Sequence, residues 1–270
     1  VTSSSQSSHY GADYDYLRGS PHLRHRHLYE HLTGRISEAL EPVRESNPVP
    51  DVLEIGAGDG SVTERLLAMG CSVTGTEISS ASVEGMQRRF GRNDRFRALY
   101  DEQSDLAVLG DSRFDLVLFA SVLHHIPDYL AAIRNAADGY LRKGGSLVSI
   151  QDPLWYPRVK PGDRRLTELS FLSWRLAQGD LLKGIKTRLG RATRGLSEDT
   201  PGDTIEYHVV RNGVDEQAVE ACLSERFESV EVERYWSSQG PAQQRIGERL
   251  GRLNTFAIFA TGHLEKPVGG

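Results

Sequence analysis

Short apolar runs alternate with amphipathic stretches through the middle of the chain. Residues 52–55 (VLEI), 72–76 (SVTGT), 96–100 (FRALY), 114–120 (FDLVLFA) and 146–150 (SLVSI) read as strands, and the near-continuous apolar runs fit burial on both faces. Residues 61–69, 82–90 and 127–141 read as the helices between them, the last with Pro127 at its start and Gly144-Gly145 past its end. Strand and helix in alternation at this spacing predict a doubly wound, mostly parallel α/β sheet. Upstream, Leu28, Leu32, Ile36 and Leu40 recur at four-residue intervals, the stripe of one helix ending near Pro42. Downstream, the rhythm breaks over residues 154–212, with a helix around 164–177. It then returns as a helix at 215–227 and strands at 229–236 and 254–262. The last two strands, separated by a segment containing glutamine and glycine, predict an antiparallel pair that closes the sheet. The chain therefore divides into an N-terminal helical segment (1–47), a core (48–153), an insertion (154–212), the end of the core sheet (213–264) and a tail (265–270).

Composition narrows the function classes. The 270 residues are 38% hydrophobic and 26% charged, ordinary for a globular chain with a sizeable core. A formal net charge of -5 does not suit a protein that coats a phosphate backbone. No apolar run approaches the roughly 18 residues of a membrane helix, and the serine-rich start has no apolar leader core. Cys71 and Cys222 form neither a disulfide framework nor a CxxC pair. The expectation is a cytoplasmic protein with no nucleic-acid and no membrane partner.

The stretch DVLEIGAGDG at 51–60 carries the most chemistry. A buried strand runs into Gly56, Gly58 and Gly60, and a helix follows. Glycines let the backbone turn sharply and approach a ligand, and the helix N-terminus offers unpaired N–H groups to an anion. Glu77 ends the second strand, where a carboxylate accepts both hydroxyls of a ribose. A dinucleotide site wants G-x-G-x-x-G, whereas this chain has G-x-G-x-G with Ser61 in the sixth position. Glu54, two residues before the first glycine, would lie poorly beside a pyrophosphate and suits a ligand that presents an ammonium.

Taken in order, VLEIGAGDG, TEIS with Glu77, FDLVLFASVLHHIPD and LRKGGSLVSIQDP resemble the successive motifs of class I S-adenosylmethionine-dependent methyltransferases. The nearest type is the small-molecule one related to ubiquinone/menaquinone and natural-product methyltransferases. The resemblance implies a Rossmann-like, seven-stranded sheet with an antiparallel last strand, S-adenosylmethionine as cofactor and a small-molecule acceptor. It implies that Gly56, Ala57 and Gly58 wrap the methionine part, with Glu54 near its amino group. It gives Glu77 the ribose hydroxyls and packs Ile78 on the adenine. The family places an Asp at the adenine amine after the third strand; here Glu102 or Asp101, with Gln103 beside them, holds that position. Ala120, Ser121 and His124 follow the fourth strand beside the reactive methyl. In related enzymes an N-terminal segment closes over the cofactor, which makes 1–47 a helical lid whose Tyr16 and Arg18 cover the sulfonium and meet the carboxylate. The insertion, with Trp155, Tyr156, Phe171 and Trp174, becomes an acceptor cap.

An amine acceptor needs only to be neutral, whereas a hydroxyl needs a general base, most often histidine. His124, His125 and His208, with Asp152 to orient a base or bind the acceptor, are the candidates. O-methylation in secondary metabolism is the first reading, with N- or C-methylation of a small molecule such as an amino sugar as the alternative. The basic run 183–194 either steers an acidic acceptor or forms a solvated face. His22, His25, His27 and His31 invite a metal, but no cysteine or matched carboxylate completes a tetrahedral set, so none is expected. Tyr156 and Lys160 have the Tyr-x-x-x-Lys spacing of short-chain dehydrogenases, which makes a nicotinamide oxidoreductase the rival. Pro157 disfavours the shared helix that pair requires. Ala120-Ser121-Val122-Leu123 also lacks the Pro-Pro-aromatic motif of amino-directed DNA methyltransferases. Homodimerisation is left open.

Overall fold

In the computed structural model, which describes residues 20–177 and 212–264, the strands are β1 (Asp51–Ile55), β2 (Ser72–Glu77), β3 (Phe96–Tyr100), β4 (Phe114–Ala120), β5 (Leu141–Pro153), β6 (Phe227–Tyr235) and β7 (Thr255–His263). They form one sheet in the order β3-β2-β1-β4-β5-β7-β6. The strands β1 to β5 pair in parallel, and β7 is antiparallel to both β5 and β6. This is the doubly wound, seven-stranded sheet that the pattern predicted. Leu116, Val117, Leu118 and Phe119 of β4 are fully enclosed, because helices cover both faces of the sheet.

The covering helices are α1 (Pro21–Arg24), α2 (Arg26–Arg44), α3 (Ser61–Ala68), α4 (Ser80–Phe90), α5 (Tyr129–Tyr140), α6 (Pro161–Ala177), α7 (Glu216–Ser224) and α8 (Pro241–Arg249). One apolar cluster joins Leu53, Val117, Phe119 and Ile258 to Ile133 of α5 and Leu223 of α7. The other, on the opposite face, joins Leu116, Leu118, Val148 and Ala257 to Leu28, Leu32, Ile36 and Leu40 of α2. α2 is thus part of the wall of the core. Ser146 Oγ donates to the Ala39 carbonyl (2.8 Å), fastening that wall to β5. Of the lid expected over 1–47, α2 lies in this wall, and the residues before Ser20, Tyr16 and Arg18 among them, lie outside the described residues, as do His208, the basic run 183–194 and the tail.

Several boundaries differ from expectation for local reasons. Asp128 accepts from the Ala131 N–H (2.9 Å) and caps α5, so the helix starts at Tyr129 and Pro127 stays outside it. The fifth strand starts at Leu141, which already pairs with Phe114, and the register jumps before Ser146, where Gly144 has φ 76°. α8 was not expected: its buried positions are Gln244 and Gly247, which make no apolar stripe. Pro241 starts it, and Gly247 is required because a Cβ there would sit 2.2 Å from the Trp236 indole nitrogen. Among the described residues no helix is long and apolar enough to cross a membrane.

Candidate active site

The sheet order turns at β1, which pairs β2 on one side and β4 on the other. The crevice beyond the carboxyl ends of these strands is where open α/β sheets bind ligands. After β1 the chain bends through Gly56 (φ 68°), Gly58 (φ 59°) and Gly60 (φ 78°) into α3. Gly56 N–H and Ala57 N–H both donate to the Thr76 carbonyl (2.9 and 3.1 Å), tying the loop to β2. A Cβ on Gly56 would lie 2.8 Å from Val122 Cγ2, so the loop and the second residue past β4 meet across a gap that only glycine leaves open.

Two buried acids face this loop. Glu77 Oε2 accepts from Gly58 N–H (2.9 Å), and Oε1 accepts from Ile78 and Ser79 N–H (2.8 and 3.1 Å). Burial nevertheless raises its pKa, opposed by those three donors. Glu54, 1% exposed, accepts from Thr63 Oγ1 of α3 (2.5 Å). Burial, reinforced by Asp59 and Glu77, pushes its pKa up to about 8 against the pull of that hydroxyl. Neither acid is ion-paired with a cation among the described residues. A buried carboxyl without a cation is costly, and the pair suits a ligand that brings an ammonium or sulfonium together with ribose hydroxyls.

After β3, Asp101 is buried and Glu102 and Gln103 are exposed. The Asp101 N–H donates to the Glu77 carbonyl (2.9 Å), and its Oδ2 accepts from Leu106 N–H (3.1 Å). Asp101 is therefore the carboxylate of this stretch that is built into the end of the sheet beside Glu77. Ala120 ends β4, and Ser121 takes φ 61° with its N–H on the Ile150 carbonyl (2.8 Å).

The fourth and fifth strands bring His124 and Asp152 together. Asp152 Oδ1 accepts from His124 Nδ1 (2.8 Å) and from His124 N–H (3.1 Å), and its Oδ2 accepts from Ser149 Oγ (2.7 Å). Asp152 is fully buried and the His124 side chain 10% exposed. Because a carboxylate accepts at Nδ1, the neutral ring carries its proton there and keeps its basic lone pair on Nε2. The His125 ring lies 4.0 Å from that of His124. Sequence reasoning missed what supports this pair. Gln151, Tyr235, Ser149 and Ser237 are polar residues of ordinary type, and a three-residue offset on a regular strand points Ser149 and Asp152 to opposite faces, so nothing in the sequence joined them.

The insertion leaves from the same edge. Leu154 pairs with Val214, and Arg158 bonds Asp215 and Glu216, so its two described ends are clasped. Phe171 stacks on Trp174 (5.7 Å) in α6. α6 is held to the β6–β7 connection by Gln243–Ser173 (2.8 Å) and Arg252–Asp163 (3.1 Å) bonds. Tyr156 opens a short 3-10 turn and Lys160 precedes α6, so the two share no helix and the dehydrogenase pair is not formed. Three of the four N-terminal histidines have separate partners, and His22 is buried with its Nδ1 unbonded among the described residues. His25 Nε2 bonds the Ser238 carbonyl (2.8 Å), His27 bonds Glu248 and His31 bonds Glu233 (both 2.6 Å).

Residues 53–147 match a family described as a methyltransferase domain. The chain is 33% identical over 118 residues to the ubiquinone biosynthesis O-methyltransferase of Xanthomonas campestris pv. campestris, covering 40% of this chain and 48% of that protein. It is 34% identical over 122 residues to the 27-O-demethylrifamycin SV methyltransferase of Amycolatopsis mediterranei, 44% of each. The chain thus spans less than half the length of these curated relatives. The N-methyltransferase NodS from Bradyrhizobium japonicum WM9, solved with S-adenosyl-L-homocysteine, shares the fold. The TM-score is 0.52 at 19% identity, over 98% of this chain and 99% of that one.

Proposed function

We propose that this chain, which carries a class I S-adenosylmethionine-dependent methyltransferase domain, methylates a hydroxyl of a small-molecule acceptor, with His124 as general base. The observation that carries the reading is the His124–Asp152 pair at the ligand edge of β4 and β5. The glycine loop, Glu54 and Glu77 fit the cofactor, which when bound supplies an electrophilic methyl on a sulfonium. Glu77 would take the ribose hydroxyls in exchange for part of its present backbone bonding, Glu54 the ammonium, and Gly56 to Gly58 the methionine backbone. Asp101 is the carboxylate we assign to the adenine amine, supported by its burial beside Glu77, whereas Glu102 and Gln103 are exposed.

His124 would take up the acceptor's hydroxyl proton at Nε2, leaving the oxygen as the nucleophile for the methyl that the bound cofactor would supply. Asp152 holds the ring in the Nδ1–H form and stabilises the imidazolium that results. A group so held is worth more than a free histidine because the geometry is set before the acceptor arrives. Likeness to the rifamycin methyltransferase supports a setting in natural-product biosynthesis.

The test is transfer of labelled methyl from S-adenosylmethionine to matched phenol and aniline analogues. The reading expects label on the phenols, and a rate falling about 100-fold or more in His124→Gln, as for loss of a general base. Label on the anilines alone, or a full rate in His124→Gln, contradicts it.

A further inference from the structure

Gln151 has φ 66°, a left-handed conformation that a residue with a Cβ rarely adopts. It sits in a bulge of β5. Ser149 pairs with Ile258 and Asp152 with Phe256, so β5 carries one residue more than β7 across that interval. On a regular strand, residues 149 and 152 would point to opposite faces. The extra residue brings them to one side, and the Ser149–Asp152 bond depends on it.

The bulge is clamped from β6. The Gln151 N–H donates to the Tyr235 hydroxyl (3.0 Å), which in turn donates to Gln151 Oε1 (3.2 Å). Gln151 Nε2 donates to Ser237 Oγ (2.7 Å). Main chain and side chain of Gln151 are thus held by two residues some 85 positions away in sequence. Burial raises the Tyr235 phenol well above its ordinary value, so it remains a donor at neutral pH.

We propose that Tyr235 is a positioning residue of the active site: by holding Gln151 in its left-handed conformation it maintains the bulge that turns the Asp152 carboxylate onto His124 Nδ1. The proposal rests on the reading of His124 and Asp152 as the catalytic pair. It adds that β6, which contributes nothing to the cofactor edge, sets the alignment of the base. The hydroxyl acts through hydrogen bonds alone, so Tyr235→Phe keeps the ring and removes only the clamp.

The test is proton NMR of the imidazole N–H region. An Nδ1 proton held by a carboxylate resonates far downfield, and its disappearance in His124→Gln and Asp152→Asn assigns it. The expected result is loss or broadening of this resonance in Tyr235→Phe, with S-adenosylhomocysteine binding unchanged. Adding Gln151→Gly, which adopts positive φ without a clamp, should restore it. Ser237→Ala, which loosens only the amide end, should weaken it in the same direction and guards against a Tyr235→Phe chain that does not fold. An undisturbed resonance in folded Tyr235→Phe and in Ser237→Ala overturns the proposal. Because the signal reads geometry and not turnover, the two readings separate: a lost resonance with an undiminished methylation rate would leave the clamp standing and refute the base.

Discussion

Glu54 is a carboxyl enclosed without a cation and raised to about 8 by burial. At pH 7 it is mostly protonated in the free protein. A ligand ammonium favours its ionised form, so cofactor binding at pH 7 is expected to release a proton and to tighten as pH rises toward 8. Titration calorimetry in buffers of different ionisation heat measures that proton, and Glu54→Gln should abolish it. The same shift fixes a stability trend. The folded value lies above the ordinary one of 4.5, so the fold loses stability as pH climbs from there through about 8. Glu54→Gln should therefore melt higher than the parent at pH 8.5 and not at pH 4. Gly56 makes the opposite kind of prediction. With φ 68° and only 2.8 Å to Val122 from a Cβ, Gly56→Ala is expected to cost about 1–3 kcal/mol in chemical denaturation. The acids and glycines were legible in the sequence because their chemistry follows from residue type and spacing. Asp101 was harder to separate from Glu102, since neighbouring acids differ only in which way the chain turns; in the structure Asp101 is buried and Glu102 exposed.

At the level of elements, the strands of the cofactor half and their helices were readable because each is an apolar run of its own period, bounded by glycine, proline or a cap. α8 was not, since it buries a glutamine and a glycine. α2 was recognisable as a helix but not as a wall: amphipathic spacing says that a face is buried, not against what. Its Leu40, fully enclosed against the sheet, gives the test. Leu40→Ala is expected to lower the melting temperature by roughly 5–15 °C. A helix that merely closed over a ligand would tolerate the change. Its outward face pairs with β6 and α8 through His27–Glu248, His31–Glu233 and Arg35–Glu231. These exposed pairs each contribute less than about 1 kcal/mol, so the apolar face decides whether α2 stays docked. The β5 bulge was invisible in the sequence because no glycine marks it: Gln151 takes the left-handed conformation under tertiary constraint.

Across the whole molecule, chemistry is divided by the topology. The glycine loop, Glu54, Glu77 and Asp101 come from the first three strands, a contiguous stretch that one motif series spans. His124, Asp152, Gln151 and Ser237, on which the proposed base and its alignment rest, come from the segments after β4 and β6 and from β5, which meet only in space. That is why the cofactor could be read from the chain and the alignment of the base could not. The crevice at the carboxyl ends of β1 and β2 is expected to bind S-adenosylmethionine through Glu77. Calorimetric titration of the protein and of Glu77→Ala with S-adenosylmethionine tests it most directly. Saturable one-to-one binding, weakened about 10- to 100-fold by the substitution as for loss of one or two charge-assisted hydrogen bonds, is the predicted result. No binding to the parent protein, or equal binding to Glu77→Ala, would contradict the account.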